Sequence, residues 1–145
     1  MQWNRGWLSV IGFFGLLAAA QAQAPPPSTA ASPFDGAYRL VSSARVSVTY
    51  TTRKGQTAQC PDRRAGPLTI SYGRARYISD SGYAVGGTVG PRGELVMRIS
   101  APPNNGGSQP IDIDLRGTID GNGTVRARQI SYSCSYDFVW QKDSR

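Results

Sequence analysis

Asp112 and Asp114 sit two residues apart in the stretch IDID. On an extended strand that spacing puts both carboxylates on one face. Such a pair can serve as acid and base in glycoside cleavage, or hold a calcium ion. The alternating isoleucines explain the spacing more simply, as the polar side of an amphipathic strand, with Asp114 expected opposite Arg128. Asp120-Gly121-Asn122-Gly123 opens like a calcium loop, but no glutamate follows at the required distance, so it reads as a hairpin turn. Asn122-Gly123-Thr124 inside that turn also matches the N-glycosylation triplet. The remaining inventory is thin. There is no histidine, which removes the usual general base, the Ser–His and Cys–His nucleophile systems and the commonest metal ligand. Glu94 is the one glutamate, and neither Lys54 nor Lys142 has a serine at the spacing of a Ser–Lys dyad. No catalytic residue, metal site or cofactor is expected, and the chain does not read as an enzyme.

The arginines offer more. Arg74 and Arg76 share a face of one expected strand, and Arg116, Arg126 and Arg128 share the outer face of an expected hairpin. Rows of guanidinium groups can hold phosphate or carboxylate, so these five form a candidate anion-binding surface, against a simpler reading as solvent-facing strand positions. The formal net charge is +7, which favours adhesion to polyanions. The cations are scattered rather than gathered in a run, so specific nucleic-acid binding is not expected. Cys60 and Cys134 are the two cysteines. In an oxidising compartment they would pair, closing a loop of about 75 residues worth about 4 kcal/mol in the chain-entropy model. The alternative is two free thiols or a redox pair, for which the wide separation and the lack of C-x-x-C give no support.

The elements that must position these residues follow from the pattern of runs and turns. Arg5, the apolar stretch 8–19 and Ala20-Gln21-Ala22 form a signal peptide over residues 1–22, with cleavage expected after Ala22. The apolar stretch is too short to cross a membrane, which takes about 20 residues, so no transmembrane segment is expected in the mature chain. Residues 23–33, rich in proline, alanine and serine, read as a disordered tether. A single β-domain is expected over 34–142, with a tail at 143–145. Nothing in it reads as helix, and turn residues arrive roughly every ten positions. The fold class is therefore all-β: one antiparallel meander of about eight strands closing into a small barrel, with a β-sandwich as the alternative.

Residues 36–42 and 44–52 read as one long bent strand, with Tyr38, Leu40, Val46, Val48 and Tyr50 on one face. Residues 54–67 and 101–110 read as loops. A two-residue turn at Tyr72-Gly73 brings Ile70 beside Ala75 and Thr69 beside Arg76, which satisfies both faces at once. GTVGPRGELVMR (87–98) and GTIDGNGTVRAR (117–128) repeat one pattern, read as a hairpin used twice. Loops at Gly90-Pro91-Arg92 and Asp120-Gly121-Asn122 are expected. They would pair Gly87 with Leu95, Val85 with Met97 and Thr88 with Glu94. In the second copy they would pair Gly117 with Val125, Leu115 with Ala127, Ile113 with Gln129 and Thr118 with Thr124. Cys134, Tyr136, Phe138 and Trp140 alternate onto one face of a final core strand. That strand is expected to close against Gly36–Leu40, since two open apolar edges invite aggregation.

FDGAY at 34–38, GTIDGNGTV at 117–125 and CSYDFVWQK at 134–142 together resemble a family of small exported bacterial β-proteins with no assigned function. The resemblance spans Phe34 to Lys142. It implies a periplasmic or secreted location and a single disulfide, and brings no catalytic residues. The outline is also similar to periplasmic inhibitors of proteases and lysozymes, which are small one-disulfide β-barrels, although no inhibitor motif is present. The leading expectation is a non-catalytic cell-envelope β-module, binding or structural. Its partner would be an envelope protein or an anionic surface polymer. The alternative is a periplasmic inhibitor of an envelope hydrolase, acting through loop 54–67 or 101–110. A strongly basic lysozyme is a poor target, because two cationic surfaces repel.

Overall fold

A computed structural model of the chain describes residues 30–102 and 110–144. The expected signal peptide, the tether as far as residue 29, residues 103–109 of the expected second loop, and residue 145 lie outside the described residues. Ten strands follow in chain order: β1 Gly36–Arg45, β2 Thr49–Thr51, β3 Thr57–Gln59, β4 Leu68–Ser71, β5 Arg74–Ile78, β6 Ala84–Val89, β7 Glu94–Ala101, β8 Ile111–Ile119, β9 Thr124–Ser131 and β10 Cys134–Lys142. Eight of them form a closed antiparallel barrel in the order β1-β10-β9-β8-β7-β6-β5-β4. β2 and β3 form a separate two-stranded ribbon. From β4 to β10 the chain is a simple meander. β1 closes it, pairing with β10 from Tyr38↔Lys142 to Arg45↔Tyr136 and with β4 at Gly36↔Ile70 and Tyr38↔Leu68. The architecture is the barrel, not the sandwich.

Alternation decides which residues enter the barrel. β9 and β10 are regular, with Val125, Ala127, Gln129, Cys134, Tyr136, Phe138 and Trp140 buried on the inner face. An eight-stranded barrel has an interior just wide enough for side chains to fill it. Here Trp140, Tyr38, Tyr77, Tyr136 and Phe138 are the largest fully buried side chains. The rings of Tyr77 and Phe138 lie 5.8 and 5.5 Å from that of Trp140. Two polar groups inside are satisfied: the Tyr77 hydroxyl donates to Gln129 Oε1 at 2.6 Å, and Trp140 Nε1 donates to the Gly66 carbonyl at 2.9 Å.

The Tyr72-Gly73 hairpin has the expected register, with Ile70↔Ala75 and Thr69↔Arg76. The repeated hairpins have the expected three-residue loops, each placed one residue further on. The observed pairs are Gly87↔Met97, Thr88↔Val96 and Val89↔Leu95 in the first copy. In the second they are Ile113↔Ser131, Leu115↔Gln129, Gly117↔Ala127, Thr118↔Arg126 and Ile119↔Val125. The loops are therefore Pro91-Arg92-Gly93 and Gly121-Asn122-Gly123. The reason is local. The last loop position is left-handed, with φ of 86° at Gly93 and 74° at Gly123, a region glycine enters at little cost. The Asp120 carboxylate then accepts the amides of Asn122 and Thr124, both at 2.9 Å. A slip of this kind moves each partner by two residues, so every side chain keeps its face.

The first expected strand is shorter than its pattern suggested. β1 ends at Arg45, because the amides of Val46 and Ser47 both turn onto the Ser135 carbonyl. Val46 and Val48 are consequently exposed rather than facing the core. A register shift between Leu40 and Ser42 also turns Val41 outward. The chain leaves the barrel and doubles back through β2 and β3, with Thr49↔Gln59 and Thr51↔Thr57 paired around Gly55. Residues 54–67 are thus not a free loop: they hold β3, and Ala65 bridges to Ser79.

Candidate functional site

The five arginines singled out above all lie on the outer face of the barrel and are exposed. β6 and β7 separate Arg74 and Arg76 on β5 from the other three on β8 and β9. Arg116 and Arg128 are directly opposite each other. The charges of these two are met by acids. Asp114 takes Arg98 at 2.7 Å and Arg116 at 3.2 Å, and Asp137 takes Arg128 through two bonds of 2.8 and 2.9 Å. Burial disfavours the Asp114 carboxylate, but the two guanidinium groups outweigh it and hold its pKa below the ordinary value. The Arg128 hydrogen bonds lower Asp137 likewise. Asp114 faces Ile130 rather than Arg128, a consequence of the shifted register. Among the described residues, Arg74, Arg76 and Arg126 have no ion pair. Among the described residues the row therefore mixes paired charges, at Arg116 and Arg128, with single cations at Arg74, Arg76 and Arg126.

The cysteines give a sharper location. Cys60 and Cys134 are joined, with Cα atoms 5.8 Å apart, and both are buried. Cys134 opens β10 at the end of the barrel where β9 turns into β10. The bridge ties the segment carrying β2 and β3 across that end. Further ties support it: the Arg45 guanidinium donates to the Cys60 carbonyl at 2.6 Å, and the Ser43 hydroxyl donates to the Arg63 carbonyl.

Between this ribbon and the β9–β10 turn lies a groove of about 620 Å³. The ribbon side supplies Tyr50, Thr52, Arg53, Lys54 and Gln56, followed by Pro61 and Arg63. The barrel side supplies Ser131, Tyr132, Ser133, Cys134 and Tyr136. Among the described residues that line it, Arg53, Lys54 and Arg63 are cations and none is a carboxylate. Arg63 is partly neutralised from behind by Asp80 at 3.2 Å and also donates to Ser81 at 2.8 Å. Tyr136 is buried, which raises its phenol pKa, while Arg63 works in the opposite direction. Tyr132 is half exposed and has φ of 57°, and its hydroxyl donates to the Pro110 carbonyl at 3.0 Å.

Sequence reasoning missed this groove. Its lining comes from the segment read as strand and loop, and from SYSC, which contains no glycine, asparagine or proline to announce a turn. The surviving signal was the disulfide, which links the two walls. Among the described residues there is no group of three His, Cys, Asp or Glu side chains placed to hold a metal ion. No helix among them is long and apolar enough to cross a membrane. No protein-family model, curated protein or solved structure matches the chain.

Proposed function

We propose that this chain is an exported, non-catalytic β-module of the cell envelope that binds an anionic polymer through the groove beside its disulfide. The observation that carries the reading is the groove lining, which among the described residues holds Lys54 and Arg63 beside Arg53 and includes no carboxylate. Cationic walls in a concave site focus positive potential and attract anions. The filled barrel supports a role in the surface and ribbon rather than in an internal cavity. The disulfide is compatible with an oxidising, exported compartment, periplasmic or secreted, in line with a leader cleaved after Ala22. The non-catalytic reading is supported by the lack of histidine and by the engagement of most of the described acids. Asp80, Glu94, Asp114 and Asp137 are in ion pairs, and Asp35 and Asp120 accept backbone amides.

The test is co-sedimentation of the mature protein with an anionic envelope polysaccharide in low and high salt. Binding is expected at low salt and weakens as salt screens the groove. Lys54→Glu is expected to weaken binding strongly, and Arg74→Glu on the far face only slightly. Equal losses from the two variants would show a diffuse charge effect and overturn the groove as the site.

A further inference from the structure

We propose that the groove is a saccharide site for an acidic sugar, with Tyr132 as its stacking platform. This rests on the reading above that the groove binds an anionic polymer, and it adds the kind of unit bound and the residue that selects it.

Two tyrosines in the described chain hold a positive φ, Tyr72 at 51° and Tyr132 at 57°. A left-handed backbone costs a residue with a Cβ roughly 1–2 kcal/mol. At Tyr72 the structure accounts for that cost. Asp35 accepts the amides of Tyr72 and Gly73 at 2.9 and 3.1 Å, which straps the chain before β1 to this turn. At Tyr132 the two-residue turn closing Ser131↔Cys134 requires a left-handed first position, but glycine or asparagine would fill it at less cost, and among the described residues no such bonds to a carboxylate are made there. Half its surface is exposed, so the ring contributes little to the core. It stands as a partition instead. It lines both the cationic groove and a shallower depression of about 410 Å³ over β7, β8 and β9. The hydroxyl is anchored on Pro110, which holds the ring upright. An aromatic ring kept half exposed on a groove wall, at a turn position that glycine or asparagine fills more easily, points to a ligand face lying against it.

The rest of the groove narrows the ligand. An aromatic face suits a flat ring, and Gln56 and Ser133 offer hydrogen bonds to ring hydroxyls. Lys54 supplies charge for a carboxylate. The volume falls in the range of sites for small ligands, about 300–1,000 Å³. A single-stranded nucleic acid also stacks on aromatic rings, but it needs a basic track for its backbone. On the described wall beside Tyr132, Arg98, Arg116 and Arg128 are paired with Asp114 and Asp137, which interrupts a basic track over β7, β8 and β9. A carboxylated sugar within a polysaccharide fits better than a polynucleotide.

The experiment titrates the mature protein calorimetrically with an oligogalacturonate, with its neutral methyl ester and with oligothymidylate. The parent protein is compared with Tyr132→Asn and Tyr72→Asn. Asparagine tolerates the left-handed region better than tyrosine, which offsets the Pro110 hydrogen bond lost in Tyr132→Asn, so both variants should fold and melt close to the parent. Tyr132→Asn should nevertheless lose at least about tenfold in affinity for the oligogalacturonate, which corresponds to roughly 1.4 kcal/mol. Tyr72→Asn should bind like the parent, and the methyl ester should bind far more weakly than the acid. A Tyr132 variant that melts like the parent but binds more weakly separates recognition from folding. Unchanged affinity in Tyr132→Asn overturns the platform while leaving an anion-binding groove in place. Tighter binding of oligothymidylate overturns the sugar assignment. If the parent binds neither these probes nor the envelope polysaccharide, the polyanion reading itself fails.

Discussion

Replacing both half-cystines, Cys60→Ala with Cys134→Ala, should destabilise the protein by about 4 kcal/mol while leaving the barrel assembled. The magnitude follows from the position of the bridge. Its partners are 74 residues apart in sequence, and closing a loop of that length removes about 4 kcal/mol of chain entropy from the unfolded state. A domain of this size loses roughly 2.1 cal/mol/K of entropy per residue on folding, so each kcal/mol moves the midpoint by about 4 °C. The variant should therefore melt roughly 15–20 °C below the parent. The barrel should survive, because its closure is the backbone ladder between β1 and β10 and does not include the sulfurs. The ribbon should loosen but stay near, held by Arg45 on Cys60, by Trp140 on Gly66 and by the Ala65–Ser79 bridge. Circular-dichroism melts measure the midpoint and the β signal together, and thiol titration of the parent counts free sulfhydryls. Two titratable thiols in the native parent, or a variant melting within a few degrees of it, would refute the reasoning. Loss of the β signal at room temperature would show instead that the closure depends on the bridge.

Three further outcomes are expected. Gly117→Ala should be severely destabilising, by more than about 3 kcal/mol, because its new Cβ would lie 2.7 Å from the Ala127 Cα and against the Arg126 carbonyl. Gly87→Ala should behave alike against the Val96 carbonyl, whereas Gly121→Ala meets nothing within 4 Å and should change the melt by little. Tyr77→Phe strands the buried Gln129 amide and should cost about 1–3 kcal/mol in denaturant unfolding, with partial recovery when Gln129→Leu is added. Stability should also fall in acid. The carboxyls of Asp35, Asp114, Asp120 and Asp137 have folded pKa values below their ordinary ones. Their contribution is thus complete above the unfolded value of about 3.9 and is lost as pH drops through the folded values. Melting points should be flat from about pH 7 to 5 and decline below about 4. Asp35→Asn should shallow that decline. A midpoint that rises on acidification would contradict the assignment.

Much of the barrel was legible because alternation is a strong signal when one face is wet. β10 shows it best: Cys134, Tyr136, Phe138 and Trp140 fill every second position, and all four are buried. The exact partners in the repeated hairpins were not legible from alternation, since a shift of two preserves every face. The information lay in which glycine takes the left-handed position, Gly93 and Gly123. The segment after Arg45 was misread for a different reason. Val46, Val48 and Tyr50 alternate as a core strand would, yet this stretch leaves the barrel and packs only Tyr50 against the core. The groove depends on that departure, so the five arginines drew attention to the barrel wall while the site formed at its end. Only the cysteine pair connected the two regions in sequence.

The pairing of the first barrel strand with the last has a consequence in time. Tyr38 meets Lys142 and Arg45 meets Tyr136, contacts that span nearly the whole domain. The meander from β4 to β10 can zip hairpin by hairpin, each step closing a short loop. β1 gains its principal partner only when the C-terminal strand is in place. Folding should accordingly be slow for the chain length, as non-local pairing makes it. Until that last step β10 presents an unpaired edge with Trp140 and Phe138 beside it, the stage at which the chain is most prone to associate with itself. The ends of the two strands meet in the finished barrel, where Lys142 Nζ donates to the Pro33 carbonyl at 3.2 Å. A circular permutant joined across that point and opened at the Gly121-Asn122 turn would convert the slowest pairing into a local one.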